Sequence, residues 1–496
     1  MSLGSTATRS VPVADTAGLA RTDVTGEPIA HAIAPRRRRG VAAAMALAVS
    51  VAMTPDVSGA ATQQELEARV DSLAEQLKAV QAELAELKRQ QADSAQAADA
   101  QAAPEAHPPV ARNQSALPGP ANESALPVPA AQGAAGITPA AAAGTGQGGG
   151  PSFFGYGELN YSRPREDAAA TQADLARFVL GTGYRFDEKT RFVSELELEH
   201  AVASSSDPGE IEVEQAYIER DLASGVFARA GLILIPSGTL NENHEPTRYY
   251  GVFRNFVETA IIPSTWREGG VALQGNTEGG LRWDVGLTTG FDLSKWDATS
   301  TEGQESPLGS IHQELALAKA RDLSGFAALN YSAIPGLRAG ASVFTGGASQ
   351  GQPGLPSASI TLWEGHARWA PGAWDLAGLY ARGHISGTQE INTTLVGNPT
   401  LIPQSFFGWY LQAAYRVFDN DRTSLTPFLR YERFNTAASF ADIAPGLTPA
   451  VQPDHKVWTA GLNWMFAPGV VLKLDYLDFQ NTADGDRFDI GLGYQF

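Results

Sequence analysis

The strongest pattern in the chain is a period of two. At the C-terminus, Phe488, Ile490, Leu492, Tyr494 and Phe496 alternate with Arg487, Asp489, Gly491, Gly493 and Gln495. Successive side chains of a strand point to opposite faces, so this spacing predicts one apolar face and one wet face. The same alternation recurs upstream. Trp458, Ala460, Leu462, Trp464 and Phe466 oppose Thr459, Gly461 and Asn463. Phe407, Trp409, Leu411, Ala413 and Tyr415 oppose Gln412 and Arg416. Leu281, Trp283, Val285, Leu287 and Phe291 oppose Arg282, Asp284 and Thr288, and Phe192, Leu196 and Leu198 oppose Glu195, Glu197 and Glu199. Aromatic residues gather near the strand ends, where a membrane-spanning sheet needs interfacial girdles. One such segment alone could be the edge strand of a soluble sandwich; its repetition from residue 152 to 496 points to a membrane barrel.

The connections alternate between short and long. Turns at 186–190, 223–225, 276–279, 334–336, 370–373, 419–422 and 467–469 carry the Gly, Pro, Asn and Asp that tight turns demand. Longer polar loops lie between them, notably 236–268, 292–321, 386–404 and 435–454. This asymmetry predicts an all-β transmembrane barrel of about sixteen antiparallel strands, a size that leaves a water-filled channel. Pairing the last strand with the first, near 153–161, would remove the sheet edge and permit burial in lipid.

Four regions follow. In 1–60, Arg36–Arg39 precede the apolar run 41–53 and the small residues Ser58, Gly59 and Ala60, the organisation of a secretory signal peptide behind a polar leader. In 61–91, Leu66, Val70, Leu73, Leu77, Val80, Leu84 and Leu87 follow the alternating spacing of four and three that places a seam on one side of a helix. Such a short helix is marginal alone, so a self-associating coiled coil is expected, with packing on another surface as the alternative. Residues 92–151 are rich in Ala, Pro, Gly and Gln and read as a disordered linker. The barrel fills 152–496, and the coiled coil then lies in the periplasm.

Composition narrows the function. The formal net charge is −18 with pI near 4.9, which argues against nucleic-acid binding, since that wants clustered Lys and Arg. Charged residues are 18% and mean hydropathy is only −0.16, as expected when wet and greasy positions alternate. There is no Cys, and the eight His show no ligand spacing, so no metal site or cofactor is expected. No G-x-S-x-G occurs in the barrel, and His200, His244 and His384 have no evident nucleophile partner, which argues against an enzyme.

The loop 236–268 is the third external loop and is dense in aromatic and charged residues. Folded into the lumen, it would narrow the pore. Glu242, Glu245, Glu258 and Glu268 are its acidic constriction candidates, and Arg248, Arg254 and Arg267 its basic ones. Arg229, Arg282, Arg368, Arg416 and Arg430, with Glu195, Glu197, Glu199, Glu364 and Glu432, are candidates for the lumen wall.

The strand 225–235, the following Pro236-Ser237-Gly238, the aromatic charged loop, the Trp266-Arg267-Glu268-Gly269-Gly270 re-entry and the terminal Gly493–Phe496 resemble the phosphate-selective porin O and P family. The resemblance implies a homotrimer of sixteen-stranded outer-membrane barrels, each with its own pore. It also implies that the terminal Tyr494 and Phe496 are read by the barrel-assembly machinery. Phosphate-selective members depend on inward Arg and Lys ladders. Here, 151–496 holds about 25 basic against about 40 acidic residues, so a mixed or cation-attracting field is expected and phosphate selectivity is not carried over. The expected function is passive diffusion of small hydrophilic solutes or ions. A structural tether or adhesin built on the coiled coil, and an outer-membrane barrel enzyme, are the alternatives.

Overall fold

A computed structural model describes Lys78 and residues 150–496 apart from Asp421 and 482–484. The leader and signal peptide (1–60), the coiled-coil segment (61–91, Lys78 aside) and nearly all of the linker lie outside the described residues.

The alternating segments form one antiparallel sheet that closes on itself. Its strands are β1 (Ser152–Pro164), β2 (Gln172–Arg185), β3 (Thr190–Glu199), β4 (Ile211–Ala223), β5 (Val226–Leu234), β6 (Arg267–Asn276), β7 (Leu281–Thr288), β8 (Ser324–Tyr331), β9 (Leu337–Gly347), β10 (Ser359–Trp369), β11 (Trp374–Ile385), β12 (Ser405–Tyr415), β13 (Phe418–Asp419), β14 (Ser424–Ser439), β15 (His455–Ala467), β16 (Val470–Phe479) and β17 (Arg487–Gln495). The two-residue β13 pairs only with β14, while β12 pairs with β14 directly, so 16 strands make the wall. Closure is by β1 and β17, with Leu159 opposite Leu492 and Tyr161 opposite Ile490. The Phe496 N–H donates to the Gly155 carbonyl at 2.9 Å, and the Gly155 N–H donates back at 3.1 Å. No edge remains to be covered.

The period-two rows behave as lipid-facing and lumen-facing sets. Trp458, Trp464, Phe466, Val285, Leu287 and Phe488 are exposed on the outside, whereas Thr459, Asn463, Asp284, Thr288 and Asp489 are buried inside. Trp374 and Tyr415 meet near the short-turn end with ring centroids 4.8 Å apart, an aromatic belt at an interface. Phe291 departs from its expected outward row. β7 ends at Thr288, and Phe291 turns into the barrel, where it stacks on Trp266 at 5.4 Å. Arg416 also departs. It lies beyond the end of β12 and pairs with Asp419 in the turn, so it is not a wall residue.

Short connections and Phe496 occupy one end; the loops 200–210, 235–266, 289–323 and 386–404 occupy the other. Much of the core comes from these loops rather than from the strands. Ile261, Trp266, Leu308, Ile311, Ile391 and Ile402 pack with inner-wall Phe344, Ile360, Leu362 and Phe406. The upper bore on the β9–β12 side is therefore an apolar interior.

Candidate functional site

The connection 235–266 descends inside the barrel and returns. Its foot is closed by Asn241, whose Nδ2 donates to the carbonyls of Ile235 at 2.7 Å and Trp266 at 2.8 Å, while its Oδ1 accepts from the Trp266 N–H at 2.6 Å. One side chain thus satisfies three backbone groups that leave the sheet at β5 and re-enter at β6.

The returning limb, 256–266, is apolar. Phe256 stacks on Phe434 with ring centroids 5.2 Å apart. Val257, Ile261 and Ile262 are fully buried, and Trp266 lies 4.5 Å from Phe344 between centroids. A Cβ on Gly408 of β12 would sit 3.0 Å from Ile261 and 3.1 Å from Val257, so that glycine lets the limb approach the wall.

The descending limb, 239–255, is pinned by polar contacts to strands around the bore. Glu242 accepts from Arg282 of β7 at 2.7 Å and lies 3.8 Å from Arg229 of β5. The Tyr249 hydroxyl donates to Glu158 of β1 at 2.7 Å, and the Lys473 ammonium of β16 sits over its ring at 3.5 Å. The Tyr250 hydroxyl donates to Asp375 of β11 at 3.0 Å, while its carbonyl accepts from Arg430 of β14 at 3.0 Å. The Val252 N–H donates to Asp475 of β16 at 2.6 Å, and Thr247 bonds Gln495 of β17. A Cβ on Gly493 would come within 2.5 Å of Pro246, and one on Gly491 within 2.9 Å of Val252. The glycines on the wet face of the last strand are where the loop lies against the wall.

The sequence-derived candidates divide into two groups. Glu242, Glu245, Arg248, Arg229, Arg282 and Arg368 retain partial exposure in the bore. The other group is structural. Glu258 accepts from the N–H groups of Thr239 and Leu240, from Asn255 and from Tyr410, so it ties the two limbs together. Arg254 donates within the loop to Ser264, Thr265 and the His244 carbonyl. Arg267 pairs with Glu212 and Glu314, and Glu268 accepts from Thr289 at 2.5 Å. The expectation that Glu195, Glu197, Glu364 and Glu432 share the open water is corrected. They are at most 3% exposed, bonded to neighbours or covered by the loop. Glu432 accepts from Arg430 at 2.8 Å and from the Phe256 N–H at 2.7 Å, and Glu364 from His366 at 2.9 Å when Nδ1 carries the proton. Glu199 lies half-buried at the end of β3 beside the long loop.

The residues missed from sequence are Glu214, Tyr249, Tyr250, Arg338 and Asp375. Glu214 was legible: Ile211 and Val213 face lipid, so Glu212 and Glu214 fall inside by alternation. Arg338 sits among small residues in 337–343, where the pattern is weak. It lies directly beside Arg368 on the neighbouring strand, with Arg248 of the loop as a further positive neighbour, and Arg368 is held by a two-pronged pair to Asp375 at 2.8 and 2.5 Å.

A closed sixteen-strand barrel with a loop folded into its bore defines an outer-membrane porin, a channel across the bacterial outer membrane. The family model described as phosphate-selective porin O and P matches residues 329–496. An uncharacterized protein of Aquifex aeolicus is 30% identical over 383 residues, covering 73% of this chain and 84% of its own length. The chain belongs to the phosphate-selective porin O and P family. Among solved structures it is similar to Salmonella typhi OmpF in complex with daunomycin, at 14% identity and TM-score 0.50, over 70% of this chain and 97% of that one. An anion-selective porin from Comamonas acidovorans matches at 14% identity and TM-score 0.45, over 70% of this chain and 99% of that one.

Proposed function

We propose that solute passes along one side of the bore, where the short-turn halves of β5 and β7–β11, clear of the apolar packing above, face the descending limb. Glu242, Glu245 and Arg248 of the loop then face Arg229, Arg282, Arg338 and Arg368 of the wall. The observation that carries this reading is a difference in exposure. Arg368 keeps 38% of its side chain open, while Glu432 and Asp489 across the bore keep none. Fixed charge acts on a solute only where water and solute reach it. Glu219, Asp284 and Asp375 pair with Arg229, Arg282 and Arg368, and Glu245 with Arg248, so the charge that tips the passage toward anions is Arg338, beside Arg368 and Arg248. The porin is a passive pore for small hydrophilic solutes, weakly favouring anions, and it performs no catalysis.

The assembly is a homotrimer, as the family resemblance implies, with the 61–91 coiled coil in the periplasm and Tyr494 and Phe496 presented to the barrel-assembly machinery. Purified protein in planar bilayers across a KCl gradient tests the central reading. Discrete conductance steps with a small reversal potential of anion sign are expected. Strong cation selectivity would refute the proposed path, and an electrically silent bilayer would refute the pore.

A further inference from the structure

Where the descending limb crosses β3 and β4, three buried side chains converge that the passage does not use. Glu195 of β3, Glu214 of β4 and His244 of the loop each offer one donor atom, and the three atoms lie within 4.8 Å of one another. We propose that they bind one divalent first-row transition-metal ion of the zinc class, which staples the loop to the wall.

The imidazole is oriented for this. His244 Nδ1 lies 2.9 Å from the Asn241 carbonyl oxygen, which can only accept, so Nδ1 carries the proton and Nε2 turns its lone pair toward the carboxylates. Nε2 is 3.7 Å from Glu214 Oε1. That is too long for a hydrogen bond, but close to the edge of a tetrahedron whose ligands sit about 2.0–2.2 Å from zinc. Tyr156 braces the pair from below, its hydroxyl donating to Glu214 Oε2 at 3.0 Å and its ring meeting the imidazole edge-to-face at 5.6 Å.

Glu214 supplies an independent sign that the site can take a cation. It is completely buried, yet its Oε1 has no hydrogen-bond partner. Glu195 is likewise buried, with Oε2 accepting from Gln215 at 2.6 Å. The nearest guanidinium, Arg177, is committed elsewhere, 2.9 Å from Glu158 and 3.5 Å from Glu197. Arg254 meets His244 only at its carbonyl, and Glu245 adds further negative charge nearby. With neutral His244, the Glu195 and Glu214 carboxylates face each other in a site closed to water, and Glu197 lies against Glu214, so negative charge outweighs the one guanidinium nearby, which is costly. A dication cancels both. The imidazole selects against calcium and magnesium, and the carboxylates, with no thiolate, select against copper(I).

Chelator-stripped full-length protein in detergent, titrated with Zn²⁺ by calorimetry and followed by elemental analysis, tests the site. One zinc per chain is expected, with affinity at least about 100-fold weaker in Glu214→Gln and in His244→Gln, and unchanged in Glu278→Gln, an exposed residue of a short turn. Folding of each variant is checked by heat-modifiable gel migration. Co²⁺ added to the unaltered protein gives a second readout, expected as intense visible bands of a site of low coordination number with nitrogen and oxygen ligands. Absence of saturable Zn²⁺ binding, zinc retained equally by both variants, equal affinity for Ca²⁺, or a six-coordinate cobalt spectrum from ions held only at the surface would each overturn the proposal. None of these outcomes bears on whether the pore conducts.

Discussion

The two limbs of the inward loop occupy the same bore but are held there by different physics. The returning limb buries Val257, Ile261, Ile262 and Trp266 against other apolar groups. Each such side chain is worth roughly 1.5–3 kcal/mol of non-directional stabilisation that salt and pH barely alter. The descending limb is held by exchangeable polar pins, each netting about 0.5–1.5 kcal/mol, with charged ones stronger. One limb is therefore part of the wall's architecture, and the other is the element that sets the size and charge of the passage. An inward loop need not be uniformly rigid to define a pore.

The largest test of that contrast is excision. Replacing 242–252 with a short Gly-Ser linker removes the pins but leaves Asn241 and the apolar limb. Single-channel conductance is expected to rise several-fold, with the barrel still heat-modifiable. An unchanged conductance would mean the descending limb does not narrow the path. Next comes Trp266→Ala, which empties the contact with Phe291 and Phe344. It is expected to cost about 3–5 kcal/mol in thermal or denaturant unfolding. A variant as stable as the parent would deny the returning limb its structural role.

Arg338→Glu reverses one wall charge in the proposed passage, and the reversal potential should move toward cations, whereas Asp489→Asn on the covered side should leave it nearly unchanged. A pH test is subtler. Burial alone would raise the Glu242 carboxyl, but Arg282 and then Arg229 outweigh it and hold it below its ordinary value of 4.5. Its folded-state affinity for protons is thus depressed, so the pin is fully present above about pH 4.5 and is lost as pH falls through its lowered value. Acid-induced channel flicker should begin below pH 4.5 and be absent in Glu242→Gln; flicker with the same onset in both would contradict the pin. The smallest effect is expected of Tyr249→Phe, about 1 kcal/mol of stability with little change in conductance.

How much of this was legible in the sequence depends on which limb or wall is considered. The wall was readable because lipid on one side and water on the other enforce a period of two, as in Phe488 to Phe496. Strand pairing, closure through β1 and the division into short turns and long loops follow from that period. The loop has no period, so its composition announced an unusual segment without saying which charges face water. Glu258 and Arg254 look as pore-like as Glu242 and Arg248 in the sequence, yet the first two spend their charge on the loop's own backbone and side chains. Counts of acidic and basic residues have the same limit, because burial decides which of them a solute can sense. The wet-face glycines Gly491 and Gly493 were in plain view, and their small size marks where Val252 and Pro246 approach.

One side of the bore is open to solute and the other is covered by the loop. Because the chain contains no cysteine, single cysteines can be read without background. In planar bilayers, a charged methanethiosulfonate reagent should react rapidly with Arg338→Cys and Arg368→Cys and change the current stepwise. Asn463→Cys and Asp475→Cys, whose side chains bond the descending limb at Tyr249, Gly251 and Val252, should remain unreactive on the same timescale. Equal reaction on both sides would contradict the account.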